Sequence, residues 1–137
     1  MRVRDLMTES PATCNPGSRL EHVAKMMLDC DCGAIPVTDE GNKPVGIVTD
    51  RDIVIRTLAR GEDALNKTAK DVMTRSTITV HEDDDLDLCA SVMEENQIRR
   101  VIVVNDTNEI VGIVAQADIA RHASEELTGE VVEEISE

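Results

Sequence analysis

Apolar positions along the chain follow two alternating rhythms. Leu20, Val23, Ala24 and Met27 have the spacing of one buried helical face, and Leu86, Cys89, Ala90 and Met93 repeat it. Each predicted helix is followed by two short β-branched runs. Residues 34–38 and 44–49 flank the polar, Gly-containing segment Asp39-Glu-Gly-Asn-Lys43; residues 101–104 and 110–115 flank Asn105-Asp-Thr-Asn108. Both arrangements predict a hairpin. Brief strands are expected at 12–14, ended by the turn signal Asn15-Pro16-Gly17, and at 78–80. Ser18 and Glu21 have the spacing of a capping box opening the first helix. A second helix is predicted from about Asp50 to just before Gly61, its C′ residue, and an equivalent one from about Gln116.

The order β-α-β-β-α thus occurs twice, and the chain aligns with itself without a gap. Val3-Arg-Asp-Leu-Met-Thr8 lies on Ala69-Lys-Asp-Val-Met-Thr74, Val45-Gly-Ile-Val48 on Val111-Gly-Ile-Val114, and Asp52-Ile53 on Asp118-Ile119. About 16 of some 54 aligned positions are identical, so one unit is present twice. The predicted organisation is repeat 1 over 1–61, a connector over 62–68, repeat 2 over 69–124 and an acidic tail over 125–137. In that tail Leu127, Val131, Val132 and Ile135 would form an apolar helical stripe that caps the module or meets a second copy. A unit of about 60 residues buries only about 60% of its unfolded surface, so the repeats are expected to pack sheet against sheet in an α+β fold.

Composition sharpens this picture. The 137 residues contain no Phe, Tyr or Trp, so the core must be aliphatic and sulfur-containing, and stability should lean on internal interfaces or oligomerisation. A formal net charge of −14 disfavours nucleic acid and anionic membrane surfaces as partners. No stretch approaches a membrane span and no apolar leader follows Met1, which predicts a cytoplasmic protein. His22, His81 and His122 are scattered, and no nucleophile elbow, zinc-protease motif or Walker loop occurs, so catalysis is not expected.

Four cysteines do not by themselves imply a disulfide framework in such a chain. Cys89 falls on a core stripe. The Cys30-Asp31-Cys32 run lacks the paired spacing of a zinc site; Cys14 is the first candidate for a third participant in a metal or redox element.

The repeated Met-Thr opening, Gly46-Ile-Val-Thr-Asp-Arg-Asp-Ile53 and Ile98-Arg-Arg-Val-Ile-Val-Val104 resemble CBS domains over about residues 3–123, closest to short bacterial stand-alone CBS pairs, including the hypoxic-response type. The resemblance implies a Bateman module of two repeats with pseudo-two-fold symmetry. It commonly dimerises, and it often binds adenosine-containing ligands in clefts between repeats, with no cofactor required. On the family pattern the Thr49 hydroxyl would contact phosphate and the Asp52 carboxylate would accept from ribose hydroxyls. The same two residues have the spacing of an N-cap and its N3 partner, so a purely structural role competes. In repeat 2 Asp118 remains but Ala115 replaces the threonine, which makes that site the poorer one.

Cations near these motifs are Arg51, Arg56, Arg99, Arg100, Arg121 and His122; Thr13, Cys14, Ala34, Ile35 and Pro36 are the candidates for an adenine pocket. Two functions follow as expectations. One is a regulatory homodimer sensing AMP, ADP, ATP or a related compound; the other is a ligand-free structural or stress-associated dimer with a cysteine-based metal or redox element.

Overall fold

The computed structural model describes the backbone of residues 1–75 and 78–136 and the side chains of 1–75 and 78–127. In chain order the elements are β1 (Thr8–Glu9), α1 (Leu20–Cys30), β2 (Ala34–Thr38), β3 (Pro44–Thr49), α2 (Asp50–Arg56), α3 (Ala69–Val72), β4 (Thr79–His81), α4 (Leu86–Glu95), β5 (Arg100–Val104), β6 (Ile110–Ala115) and α5 (Gln116–Ser136). Short 3-10 turns lie at Val3–Asp5, Leu58–Arg60 and Ala64–Asn66. Gly61, with φ +70°, closes the second of these turns rather than α2, which already ends at Arg56.

Both predicted hairpins form. β2 pairs antiparallel with β3, and β5 with β6; Ile35↔Val48 in the first corresponds to Val101↔Val114 in the second. The second sheet has the order β1-β6-β5-β4, with β4 parallel to β5. The first sheet reproduces this plan with its outer strands reduced to single bridges. Cys14 pairs parallel with Val37 as Val80 does with Val103, and Thr74 meets Ile47 as Thr8 meets Ile113. The strand expected at 12–14 is therefore one bridge at Cys14, and β1 is an element the periodicity did not indicate.

The openings of the repeats are exchanged. Val3 is fully buried in a core with Val80, Cys89, Met93, Val101, Val103 and Val114, all from the second repeat. Ala69, Val72 and Met73 join Cys14, Leu20, Val23, Met27, Ile35, Val37 and Val48 from the first. The exchange also caps the helices. Leu20 N donates to Lys67 O at 2.9 Å, and Leu86 N to Met1 O at 3.0 Å. Helix α1 consequently has Arg19 as its N-cap and no capping box at Ser18; Ser18 Oγ instead accepts the Asn15 amide at 3.1 Å and closes the preceding turn. Helix α4 receives the same backbone partner at its first donor and keeps a side-chain cap as well, Asp85 Oδ1 accepting from Asp87 N at 3.2 Å.

Helix α1 buries Leu20, Val23 and Met27, while Ala24 is exposed. Strand β2 is buried at all five positions, so both of its faces are covered, and Ile35 and Val37 join α1 and α3 in the first core. The result is the α+β pair of sheet-packed repeats that the repeat alignment implied. Helix α5 runs through the acidic tail in backbone. Leu127 is exposed, and the stripe positions Val131, Val132 and Ile135 lie outside the described side chains. No described helix is long and apolar enough to cross a membrane.

Candidate functional site

The exchange of openings creates two clefts, each assembled from both repeats. The larger, about 990 Å³, is lined by Ile47, Thr49, Asp50, Arg51 and Asp52 from the β3–α2 junction. Thr74 comes from the second opening, Gln97 to Arg100 from the approach to β5, and Ala115, Gln116, Ala117 and Ala120 from the β6–α5 junction. The smaller, about 320 Å³, is lined by Thr8 to Ala12, Cys30, Cys32, Gly33, Ala34, Arg100, Ile113, Ala115 and Asp118. Thr8, Gly33, Ala34, Ile113, Ala115 and Asp118 are the repeat counterparts of Thr74, Arg99, Arg100, Ile47, Thr49 and Asp52. The two clefts are therefore equivalent places in a duplicated fold, furnished differently.

At the β3–α2 junction the strand ends as Thr49 takes an extended conformation (φ −106°, ψ 162°) and caps α2. Asp52 N donates to Thr49 Oγ1 at 3.1 Å, and Thr49 N donates to Asp52 Oδ2 at 3.0 Å. The structural role anticipated for this pair is thus real, and it leaves capacity to spare. The Thr49 hydroxyl still has its proton to donate, and among the described residues Asp52 Oδ1 has Arg56 Nε at 4.0 Å as its one partner. In the second repeat Ala115 N donates to Asp118 Oδ2 at 3.3 Å, and Oδ1 accepts from Arg121. There the hydroxyl is missing and the carboxylate is engaged on both oxygens.

The six candidate cations divide by partner. Arg56 donates to the carbonyls of Val72 and Met73, Arg121 pairs with Asp118, and His122 with Glu126; none of these three lines either cleft. Arg51, Arg99 and Arg100 line the large cleft and have no ion-pair partner among the described residues. Three arginines against Asp50 and Asp52 give a locally cationic cleft on a chain of net charge −14. Screening over about 8 Å at physiological salt makes this local balance count for more than the distant surface acids.

Arg100 belongs to both clefts. Its guanidinium lies over Gly33, where a Cβ would stand 3.1 Å from Nη2 and 3.2 Å from Asp50 Oδ2. The small cleft carries Glu9 and Asp118 against this single cation.

The purine-pocket candidates do not converge on one cleft, although Ala34 is the ladder partner of Thr49 across β2 and β3. Ala34 faces the small cleft with Asp118, while Cys14, Ile35 and Pro36 are buried in β-paired structure and Thr13 lines neither cleft. Of the 12–14 and 34–36 segments Ala12 and Ala34 reach the small cleft, and of their counterparts in repeat 2 Arg100 reaches the large one. Gln97 and Thr74 are cleft residues that sequence reasoning did not single out; the repeat offset from Thr8 would have indicated Thr74.

Burial pushes the Cys14 thiol up to about 11, and burial followed by the Asp84 charge raises Cys89. Cys30 and Cys32 are joined as a disulfide. Cys14 stays free and buried, so the three cysteines do not form the metal set considered from sequence. Among the described residues no group of three His, Cys, Asp or Glu side chains is arranged to hold a metal ion.

Comparison with known proteins agrees with this architecture. The chain is similar to Hypoxic response protein 1 of Mycobacterium tuberculosis, 38% identical over 122 residues covering 89% of this chain and 85% of that protein. A crystal structure of that protein, with two coordinated zinc ions, gives a TM-score of 0.79 at 36% identity over 89% of this chain and 98% of the other. The CBS domain pair of protein MJ0100, in complex with 5′-methylthioadenosine and S-adenosyl-L-methionine, gives 0.82 at 33% identity over 92% and 98%. CBS domain protein PAE2072 of Pyrobaculum aerophilum, complexed with AMP, gives 0.77 at 28% identity over 86% and 89%. The CBS domain model matches residues 3–57 and 69–125. With its two repeats, exchanged openings and paired inter-repeat clefts, this chain belongs to the CBS-domain family as a tandem CBS pair.

Proposed function

We propose that the chain is a regulatory binding module, not a catalyst, that takes an adenosine nucleotide (AMP, ADP or ATP) in the large cleft. The observation that carries this reading is the convergence on one inter-repeat cleft of Thr49, Asp52 and three arginines that have no ion-pair partner among the described residues. Asp52 Oδ1 accepts from the ribose hydroxyls, the Thr49 hydroxyl donates to the first phosphate, and Arg51, Arg99 and Arg100 supply charge-assisted hydrogen bonds to it. Adenosine ligands in the solved CBS pairs support the ligand class. Because the cleft walls come from both repeats, a nucleotide that favours one relative packing shifts the population toward it.

A homodimer fits the same reading. Val54, Ile55 and Leu58 on and after α2 are 52%, 41% and 75% exposed, an apolar face suited to a second copy. A monomeric mass by sedimentation would contradict that part. The binding reading is tested by calorimetry with AMP, ADP and ATP: saturable heats in the wild type that vanish in Asp52→Ala support it, and flat titrations throughout overturn it.

A further inference from the structure

The Cys30–Cys32 disulfide lies in the wall of the small cleft, beside Gly33 and Ala34 and opposite Ala115 and Asp118. Cys30 is the last residue of α1 and is exposed. Cys32 is half-buried, packs on the first core, and leads through Gly33 into β2. Asp31 between them is left-handed (φ 51°), with Cys32 N donating to Met27 O at 3.1 Å. The bond therefore ties a helix end to the strand edge that forms one lip of the cleft.

Resting on the binding reading above, we propose that Cys30 and Cys32 are a reversible thiol–disulfide site that controls adenosyl binding in the small cleft, tight when oxidised and weak when reduced. The ligand class is an adenosyl compound without phosphate, because this cleft has no counterpart of the Thr49 hydroxyl and sets Glu9 and Asp118 against Arg100 alone. Two thiol sulfurs cannot remain at bonding distance, so reduction drives them apart. Cys32 is held by the core, and the exposed Cys30 is the one that yields. The covalent tie on the Cys32-Gly33-Ala34 edge is then lost, and with it the preorganisation of the lip.

The reductant is a dithiol. One of its thiolates attacks the exposed Cys30 sulfur, forming a mixed disulfide with Cys30 as the Cys30–Cys32 bond breaks and Cys32 leaves as the thiolate. Its second thiolate displaces Cys30 and closes the dithiol's own disulfide. Two electrons pass to the protein, which takes up the two protons the dithiol gave up. Reoxidation reverses the exchange with a small disulfide such as oxidised glutathione.

The test is titration of the full chain with 5′-methylthioadenosine, following the Gly33 and Ala34 amides by NMR, in oxidised glutathione and in dithiothreitol. Reduction should weaken binding by at least about fivefold, the lower end of ordinary coupling between sites. By linkage, the compound should shift the Cys30/Cys32 thiol–disulfide equilibrium toward disulfide by the same factor in a glutathione buffer. Cys30→Ser, an exposed substitution that spares the core, should bind like the reduced protein and ignore dithiothreitol. Equal affinity in both buffers, or tighter binding after reduction, overturns the proposal while leaving the binding reading intact. Two free thiols at 30 and 32 in oxidised glutathione also overturn it. No binding in either buffer overturns this proposal, and the binding reading falls separately if AMP calorimetry is flat as well.

Discussion

Met73 packs its sulfur against Gly46, where an added Cβ would stand 2.9 Å from Sδ and 2.8 Å from the Thr74 carbonyl oxygen. Met7 and Thr8 stand over Gly112 in the same way. The Met-Thr openings and the Val-Gly-Ile-Val strands are thus two halves of one contact, made each time between different repeats. Only glycine lets the opening approach the strand this closely.

Gly46→Ala should therefore destabilise the fold by about 1–3 kcal/mol, the usual cost of overpacking. Thermal or urea denaturation checks it. A loss confined within about 0.5 kcal/mol would mean that the contact is loose.

Asp52 has two duties, closing α2 and facing the large cleft, and they separate by measurement. Asp52→Ala should cost about 1 kcal/mol of stability as a lost cap partner. Removing its charged hydrogen bonds should weaken nucleotide binding tenfold or more, since such bonds contribute about 1.5–3 kcal/mol. Thr49→Ala turns the first motif into the second and should weaken AMP more than adenosine, because the hydroxyl addresses the phosphate. Calorimetry with both ligands reads the difference; equal losses would deny Thr49 that role.

Arg100 lines both clefts, so Arg100→Met should alter both. Phosphate-bearing ligands should lose affinity in the large cleft by about tenfold, in keeping with one charge-assisted bond. Chemical shifts at Gly33 and Ala34 should move even without ligand, because the guanidinium rests against Gly33. Arg121→Met, whose arginine lines neither cleft and is paired to Asp118 of the small one, should leave phosphate binding in the large cleft near wild type.

Cys14 carries a pH dependence of defined sign. Burial raises its folded value to about 11, above the ordinary thiol value of 9.0, so the folded state disfavours the thiolate. Its contribution is fully present below about pH 9 and is lost as pH rises toward 11. Asp71 runs the other way. The Thr68 backbone amide and hydroxyl hydrogen-bond its carboxylate and lower its pKa, so its contribution holds above the ordinary carboxylate range and fades as pH falls. Stability curves across pH, with Cys14→Ala as control, check the alkaline limb. Cys14 should also resist alkylation at pH 8 until the protein unfolds.

Much of this was readable from the chain because duplication and periodicity are local signals. The helical stripes at Leu20 and Leu86, both hairpins and the Thr49/Asp52 spacing required no knowledge of distant contacts. What was hidden depends on which segment meets which. The capping box expected at Ser18 gives way because α1 starts one residue later, with Arg19 as N-cap where Leu20 meets the Lys67 carbonyl, and β1 is paired along β6. Ala34 pairs with Thr49 across the hairpin and also lines the small cleft with Asp118, a meeting of the two repeats that no spacing within one repeat can reveal. The Cys30–Cys32 bond likewise depends on the left-handed Asp31 between the two residues, a backbone state that composition does not announce.

The central claim is that a nucleotide occupies the cleft between the β3–α2 junction and the start of β5. Titrating isotope-labelled protein with AMP tests it residue by residue. Saturable amide shifts centred on Ile47, Thr49, Asp52, Thr74, Arg99 and Arg100, and absent in Asp52→Ala, are the expected result. Saturating AMP that leaves these amides unmoved, or shifts centred away from this cleft, would contradict it.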